Sequence, residues 1–153
     1  MLYRLSVLTM SVSMAVLALA AGPAHAASRA VRHPLRLLAY EFATDQRGKW
    51  YCWGGTGPSC YDCSGLVYAA YRQVHIYLGR TTYDMLASGR LRRISPAQAR
   101  RGDLAFYGTG HVELYDRGHY TFGAQNAGSQ IGRQRFNSYW APTAYYRVRG
   151  AGR

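Results

Sequence analysis

The spacing of apolar residues changes once along this chain, at Gly102, and that change limits the folds open to it. Before Gly102, Leu35, Leu38, Ala39 and Phe42 recur at helical spacing, and Gly48 supplies a stop. Leu66, Val67, Ala70, Tyr71 and Val74 mark a second helix starting at Asp62 or Cys63. A shorter helix is expected from Thr82 to Ser88, capped by Thr82, with one further turn between Ser95 and Ala99. Between the first two helices, "KWYCWGGTGPSCYD" is glycine-rich and reads as loop. After Gly102 the period becomes two: "DLAFYG" and "HVELYD" alternate, and "YTFGA" and "YYRVR" are β-rich. Helices followed by short, closely spaced strands specify an α+β domain whose antiparallel sheet is built from hairpins.

Residues 1–26 read as a secretory signal. Arg4 precedes an uncharged apolar run from Leu5 to Ala21, and Ala24-His25-Ala26 fits the small-x-small cleavage pattern. Residues 27–34 then form a short lead, and residues 35–153 a single domain, expected outside the cytoplasm at the cell wall with no membrane insertion after cleavage. Lysine and arginine total 19 against seven acidic residues, a net charge of +12. Such a surface is drawn to polyanions. The arginines are scattered and accompany no helix-turn-helix, zinc-finger or RNA-recognition pattern, so anionic cell-wall polymers are expected rather than nucleic acid.

Three cysteines in a secreted chain allow one disulfide and one free thiol, and the sequence alone leaves three pairings open. A Cys52–Cys60 bond would close a short loop across Gly54, Gly55, Gly57 and Pro58 and leave Cys63 free. A Cys60–Cys63 bond would instead let oxidation silence Cys63. The spacing of Cys52, Cys60 and Cys63 matches no common zinc pattern, so no metal is expected. Cys63 has its own mechanism: at a helix start, unpaired N–H groups and the helix dipole favour a thiolate and can hold an oxyanion. The base it requires is best supplied by His111, which opens an alternating strand after Gly108-Thr109-Gly110.

The runs "YCWGGTGPSCYDCSGLVYAAY", "RTTYDML", "RRGDLAFY" and "HVELY" resemble, in order and spacing, the NlpC family of papain-like cell-wall peptidases, from about Leu35 to Arg149. The resemblance implies a papain-like α+β fold with the nucleophile at a helix start, packed on a small antiparallel sheet. It implies Cys63 as nucleophile, His111 as base, and Tyr51, Asp62, Ser64 and Arg80 as oxyanion or substrate residues. Asp103 also falls at a motif position, where a turn or cap role is expected. One position departs. Many relatives carry a polar residue, often histidine, where Gly123 stands here, so Gln125, two residues on and on the same strand face, is expected as the third member. Asn126 and His119 are the other choices.

The resemblance implies a monomeric secreted endopeptidase that cuts peptidoglycan stem peptides at the γ-D-glutamyl–diamino acid bond, with no cofactor. Two rivals remain, the first motivated by the departure at Gly123. One is a wall-binding or regulatory protein that keeps the fold without the chemistry. The other is an amidase for a different γ-glutamyl or amide substrate.

Overall fold

The structure, a computed structural model, describes residues 33–152. The expected secretory signal at 1–26 and most of the expected lead lie outside the described residues. Among those described, no helix is long and apolar enough to cross a membrane.

Helix α1 spans Leu35–Asp45 and turns off at Gly48, whose positive φ closes the segment. The loop after it contains a two-residue parallel pair, β1 (Trp50–Tyr51) with β2 (Cys60–Tyr61), where the composition had indicated loop alone. Helix α2, Cys63–Gln73, starts at the expected place with Asp62 as its cap. Helix α3 covers Thr82–Ala87. Its cap is Thr81 rather than Thr82, because the Thr81 hydroxyl and the Asp84 carboxylate each accept the other's backbone N–H in a capping box. A 3-10 turn follows at Pro96–Gln98.

The remaining strands are β3 (Leu91–Ile94), β4 (Leu104–Tyr107), β5 (His111–Arg117), β6 (Tyr120–Gly123), β7 (Gly132–Arg135) and β8 (Ala144–Val148). They form one antiparallel sheet in the order β3-β8-β4-β5-β6-β7. The fold is therefore α+β and papain-like. Strands β4, β5, β6 and β8 correspond to the four β-rich runs. Strands β3 and β7 are mostly arginine and glutamine in sequence and carry little alternation of their own.

Alternation gives the sheet two faces with different roles. Leu104, Phe106, Val112, Leu114 and Phe122 face the helices, and Leu66, Val67, Ala70 and Tyr71 of α2 fill the space between them and Ala39, Tyr40 and Ala43 of α1. Truncating one of these larger core side chains to alanine would cost about 2–5 kcal/mol. Tyr71 also donates its hydroxyl to the Gly102 carbonyl at 2.7 Å, which ties α2 to the turn before β4. The second face carries Ala105 and Tyr107 on β4 and His111 and Glu113 on β5, by the register Tyr107 opposite His111 and Ala105 opposite Glu113. All four positions of β4 are buried, so this second face is covered too. Polar side chains enclosed there must find partners within the protein.

Candidate active site

The α2 start is held by one carboxylate. Asp62 has extended backbone, and its Oδ1 accepts the Gly65 N–H at 2.6 Å while Oδ2 accepts the Gly54 N–H at 2.9 Å. Arg80 grips the same carboxylate with both terminal nitrogens, at 3.0 and 2.7 Å, and also donates to Ser64 Oγ at 3.0 Å and the Gly55 carbonyl at 3.3 Å. The paired geometry suits a guanidinium and would be lost with lysine. Gly65 is required by closeness: a Cβ there would collide with the Gly55 carbonyl oxygen. The 52–60 loop thus lies directly on the helix start. Cys52 and Cys60 close that loop as a disulfide, and Cys63 is a free cysteine. Two of the three thiols are thereby removed from metal ligation and from exchange with Cys63.

Cys63, the first residue of α2, faces His111, the first residue of β5. Burial pushes the Cys63 thiol up, but the hydrogen bond and positive charge of His111, with a backbone hydrogen bond from Val112, outweigh it and leave the thiol below its ordinary value. Burial pulls the His111 imidazole down, yet its hydrogen bonds to Cys63 and Glu113 and their charges prevail and push it up to about 9. The two groups interact as a pair, and both shifts run toward thiolate with imidazolium.

The far nitrogen of His111 is held by Glu113, not Gln125. His111 Nε2 and Glu113 Oε1 are 3.2 Å apart, and the Glu113 side chain is 0% exposed against 13% for His111. With Nε2 engaged, Nδ1 is left for the thiol. The second oxygen of Glu113 accepts from the Thr121 hydroxyl, whose Oγ1 is 3.1 Å from the Tyr107 hydroxyl. Gln125 instead lines a cavity of about 350 Å³ with His111, Asn126 and Trp140, and makes no hydrogen bond to the ring. His119 packs edge-on against Phe136, away from the ring. Trp140 stacks on Tyr107 at 4.9 Å and comes within 6.0 Å of His111, so an aromatic pair flanks the imidazole. Sequence reasoning missed both Glu113 and Trp140. The signal for Glu113 was present: residues two apart on a strand share a face, and His111-x-Glu113 has that spacing.

Cys63 opens into a cleft of about 400 Å³ lined also by Tyr51, Asp62, Ser64, Arg80, Thr82, Tyr83 and Trp53. Trp53 is 91% exposed at its rim. Burial, with the negative charges of Cys63 and Asp62, raises the Tyr51 hydroxyl above its ordinary value, which keeps it a donor beside the thiolate. The Cys63 N–H makes no hydrogen bond to another described residue. Asp103, by contrast, is fully buried away from the cleft. It accepts from Arg147 at 3.0 and 2.6 Å and from the Arg100 N–H at 2.8 Å, so its place is in the turn before β4. Among the described residues no cluster of histidine, cysteine and carboxylate side chains could hold a metal ion.

A free thiol at a helix start, opposed by an imidazole on a neighbouring sheet, defines a papain-like thiol–imidazole domain. The NlpC/P60 family model matches residues 48–149, and the chain belongs to that family. It is similar to "Probable endopeptidase p60" of Listeria monocytogenes, 42% identical over 85 residues, which are 53% of this chain and 17% of that protein. It is also similar to "Peptidoglycan endopeptidase RipB" of Mycobacterium tuberculosis, 42% identical over 89 residues, 48% of this chain and 36% of that protein. The RipB crystal structure superposes with a TM-score of 0.65 at 27% identity, over 74% of this chain and 64% of that one. RipD of the same organism, described as a non-catalytic NlpC/p60 domain protein adapted to peptidoglycan binding, superposes with a TM-score of 0.62 at 25% identity, over 76% of this chain and 98% of that one. The matched segment is thus well under half the length of the p60 and RipB sequences.

Proposed function

We propose that this domain is an extracytoplasmic cysteine endopeptidase that hydrolyses peptidoglycan stem peptides at the γ-D-glutamyl–diamino acid bond. The observation that carries the reading is the pairing of Cys63 with His111 at the mouth of an open cleft, with the far side of the imidazole held by a buried carboxylate. The family's named endopeptidases supply the substrate class.

In the reaction, the Cys63 thiolate attacks the carbonyl carbon and forms a C–S bond as the carbonyl π electrons move onto oxygen. The Cys63 N–H and the Tyr51 hydroxyl donate to that oxyanion. His111 gives its proton to the amine as the C–N bond breaks, leaving a thioester. Neutral His111 then takes a proton from water, whose hydroxide adds to the thioester; the C–S bond breaks to release the carboxylic acid, which loses its proton to solvent, and the thiolate beside the imidazolium. Asp62, Ser64 and Arg80 spend their polar atoms on one another, so their first role is to fix the helix start. All three also line the cleft, where Arg80 is the more accessible of the ion pair.

The exposed arginines 90, 92 and 149 at the β3–β8 edge give the basic surface a location for anionic wall polymers. The test of the activity is direct: the mature protein should cleave purified muropeptides and Cys63→Ala should not. Equal cleavage by both removes the assignment. A wall-binding role without catalysis, the character ascribed to RipD, instead requires that iodoacetamide label Cys63 only near the ordinary thiol pKa of about 8.5.

A further inference from the structure

The carboxylate beside His111 occupies its place only because the facing position on the next strand has no side chain. Leu114 pairs with Phe122 and Tyr115 with Thr121, so the register sets Glu113 across from Gly123. A Cβ at Gly123 would stand 2.6 Å from Glu113 Cγ, 3.0 Å from Cδ and 3.1 Å from Cβ. Real Cβ atoms essentially never come as near as 2.6 Å, so any side chain at 123 must displace Glu113. Gly123 has an ordinary backbone conformation, with no positive φ to require glycine. Its lack of a side chain is explained by the neighbour it accommodates.

Displacement is not free for Glu113. Its side chain is wholly buried, one oxygen meets His111 and the other Thr121, and Thr121 is linked to Tyr107. Moving it would strand a buried carboxylate and leave the Thr121 hydroxyl without that acceptor. Conversely, a side chain begun at 123 starts 3.0 Å from the Glu113 carboxyl carbon, within reach of the space that carboxylate fills. The two facing positions are alternative origins for one group.

We propose that Glu113 is the positioning residue for His111 and that Gly123 is its obligatory complement: the carboxylate can come from only one of the two facing strands, and here it comes from the histidine's own. Glu113 does not touch substrate. It fixes the ring so that Nδ1 meets Cys63, and it stabilises the imidazolium. The inference rests on the thiol–imidazole reading of the site. Its test therefore includes a measurement that needs no substrate.

Five proteins are compared: wild type, Glu113→Gln, Gly123→Ala, Gly123→Glu, and the exchange Glu113→Gly with Gly123→Glu. Cys63 alkylation by iodoacetamide is followed against pH, together with kcat and KM on muropeptides. The charged or titratable groups around the ring are Cys63 from α2 with Asp62 behind it, Glu113 on β5 and Tyr107 on β4; the Trp140 indole also flanks it. Only Glu113 is altered in charge or origin.

Glu113→Gln, nearly isosteric, should fold, raise the pH at which Cys63 alkylates, and lower kcat at least about tenfold with KM little changed. Gly123→Ala should behave like Glu113→Gln although it removes no functional atom. The exchange should recover most of the wild-type alkylation profile. Retention of the wild-type profile in Glu113→Gln or in Gly123→Ala overturns the proposal. So does an exchange protein, folded by circular dichroism, that is no better than Gly123→Glu alone. If no muropeptide is cleaved by the wild type, the endopeptidase reading fails while the alkylation series still decides the role of Glu113.

Discussion

Replacing Asp62 with alanine should make the protein less stable and its nucleophile more acidic, and the opposite directions make the test stringent. Asp62 is the α2 cap, and loss of such a cap costs about 1 kcal/mol. It is also the partner of Arg80 across two hydrogen bonds, with side-chain exposures of 10% for the aspartate and 30% for the arginine. A pair with that burial lies between exposed bridges, worth up to about 1 kcal/mol, and buried ones, whose disruption costs about 3–5 kcal/mol. The Gly54 N–H, which fastens the disulfide loop, loses its acceptor as well. The combined destabilisation is roughly 2–3 kcal/mol, or about 10 °C in Tm for a domain of this size. The charge effect runs the other way. The negative charge of Asp62 raises the Cys63 thiol, so removing it lowers the pH at which the thiolate forms, and the released Arg80 guanidinium acts in the same direction. Urea unfolding measures the first effect and the pH dependence of iodoacetamide alkylation the second. Unchanged stability, or a thiol that ionises at higher pH than in the wild type, would refute the reasoning.

Three more outcomes follow from the structure. The kcat/KM profile should rise on the acid side as Cys63 ionises, below its ordinary range, and should fall on the alkaline side near pH 9, where His111 loses its proton. An alkaline limb near the ordinary histidine value of about 6.5 would contradict the held imidazolium. The Cys52–Cys60 bond spans a sequence separation of 8, so replacing both cysteines with serine should cost about 2.5 kcal/mol in urea unfolding by loop-closure entropy. Thiol labelling of the unreduced wild type, after unfolding, should find one reactive cysteine by mass; three would disprove the pairing.

The helix that presents Cys63 was legible because its signals are local. Asp62 caps within three residues, and the apolar stripe from Leu66 to Tyr71 repeats at helical spacing. The strands bearing Leu104 and His111 were legible for the same reason, since each alternates within a few residues. Strands β3 and β7 were not. Their arginine-rich residues become strand by pairing with β8 and β6, partners 50 or more residues away for β3 and across an eight-residue connection for β7.

The partner of His111 shows the division most clearly. Sequence alone determined that a cysteine heads a helix, that a histidine heads a strand, and that Glu113 shares that histidine's face. It pointed to Gln125 because a group orienting the ring was sought beyond Gly123, on the following strand. Which carboxyl or amide reaches Nε2 depends on cross-strand register and on the absence of a Cβ at the facing residue. Those are distances between segments, set only when β5 and β6 pair and the second face of the sheet closes over Glu113, Thr121 and Tyr107. Local preference chose the elements, and tertiary packing chose the group that holds the imidazole.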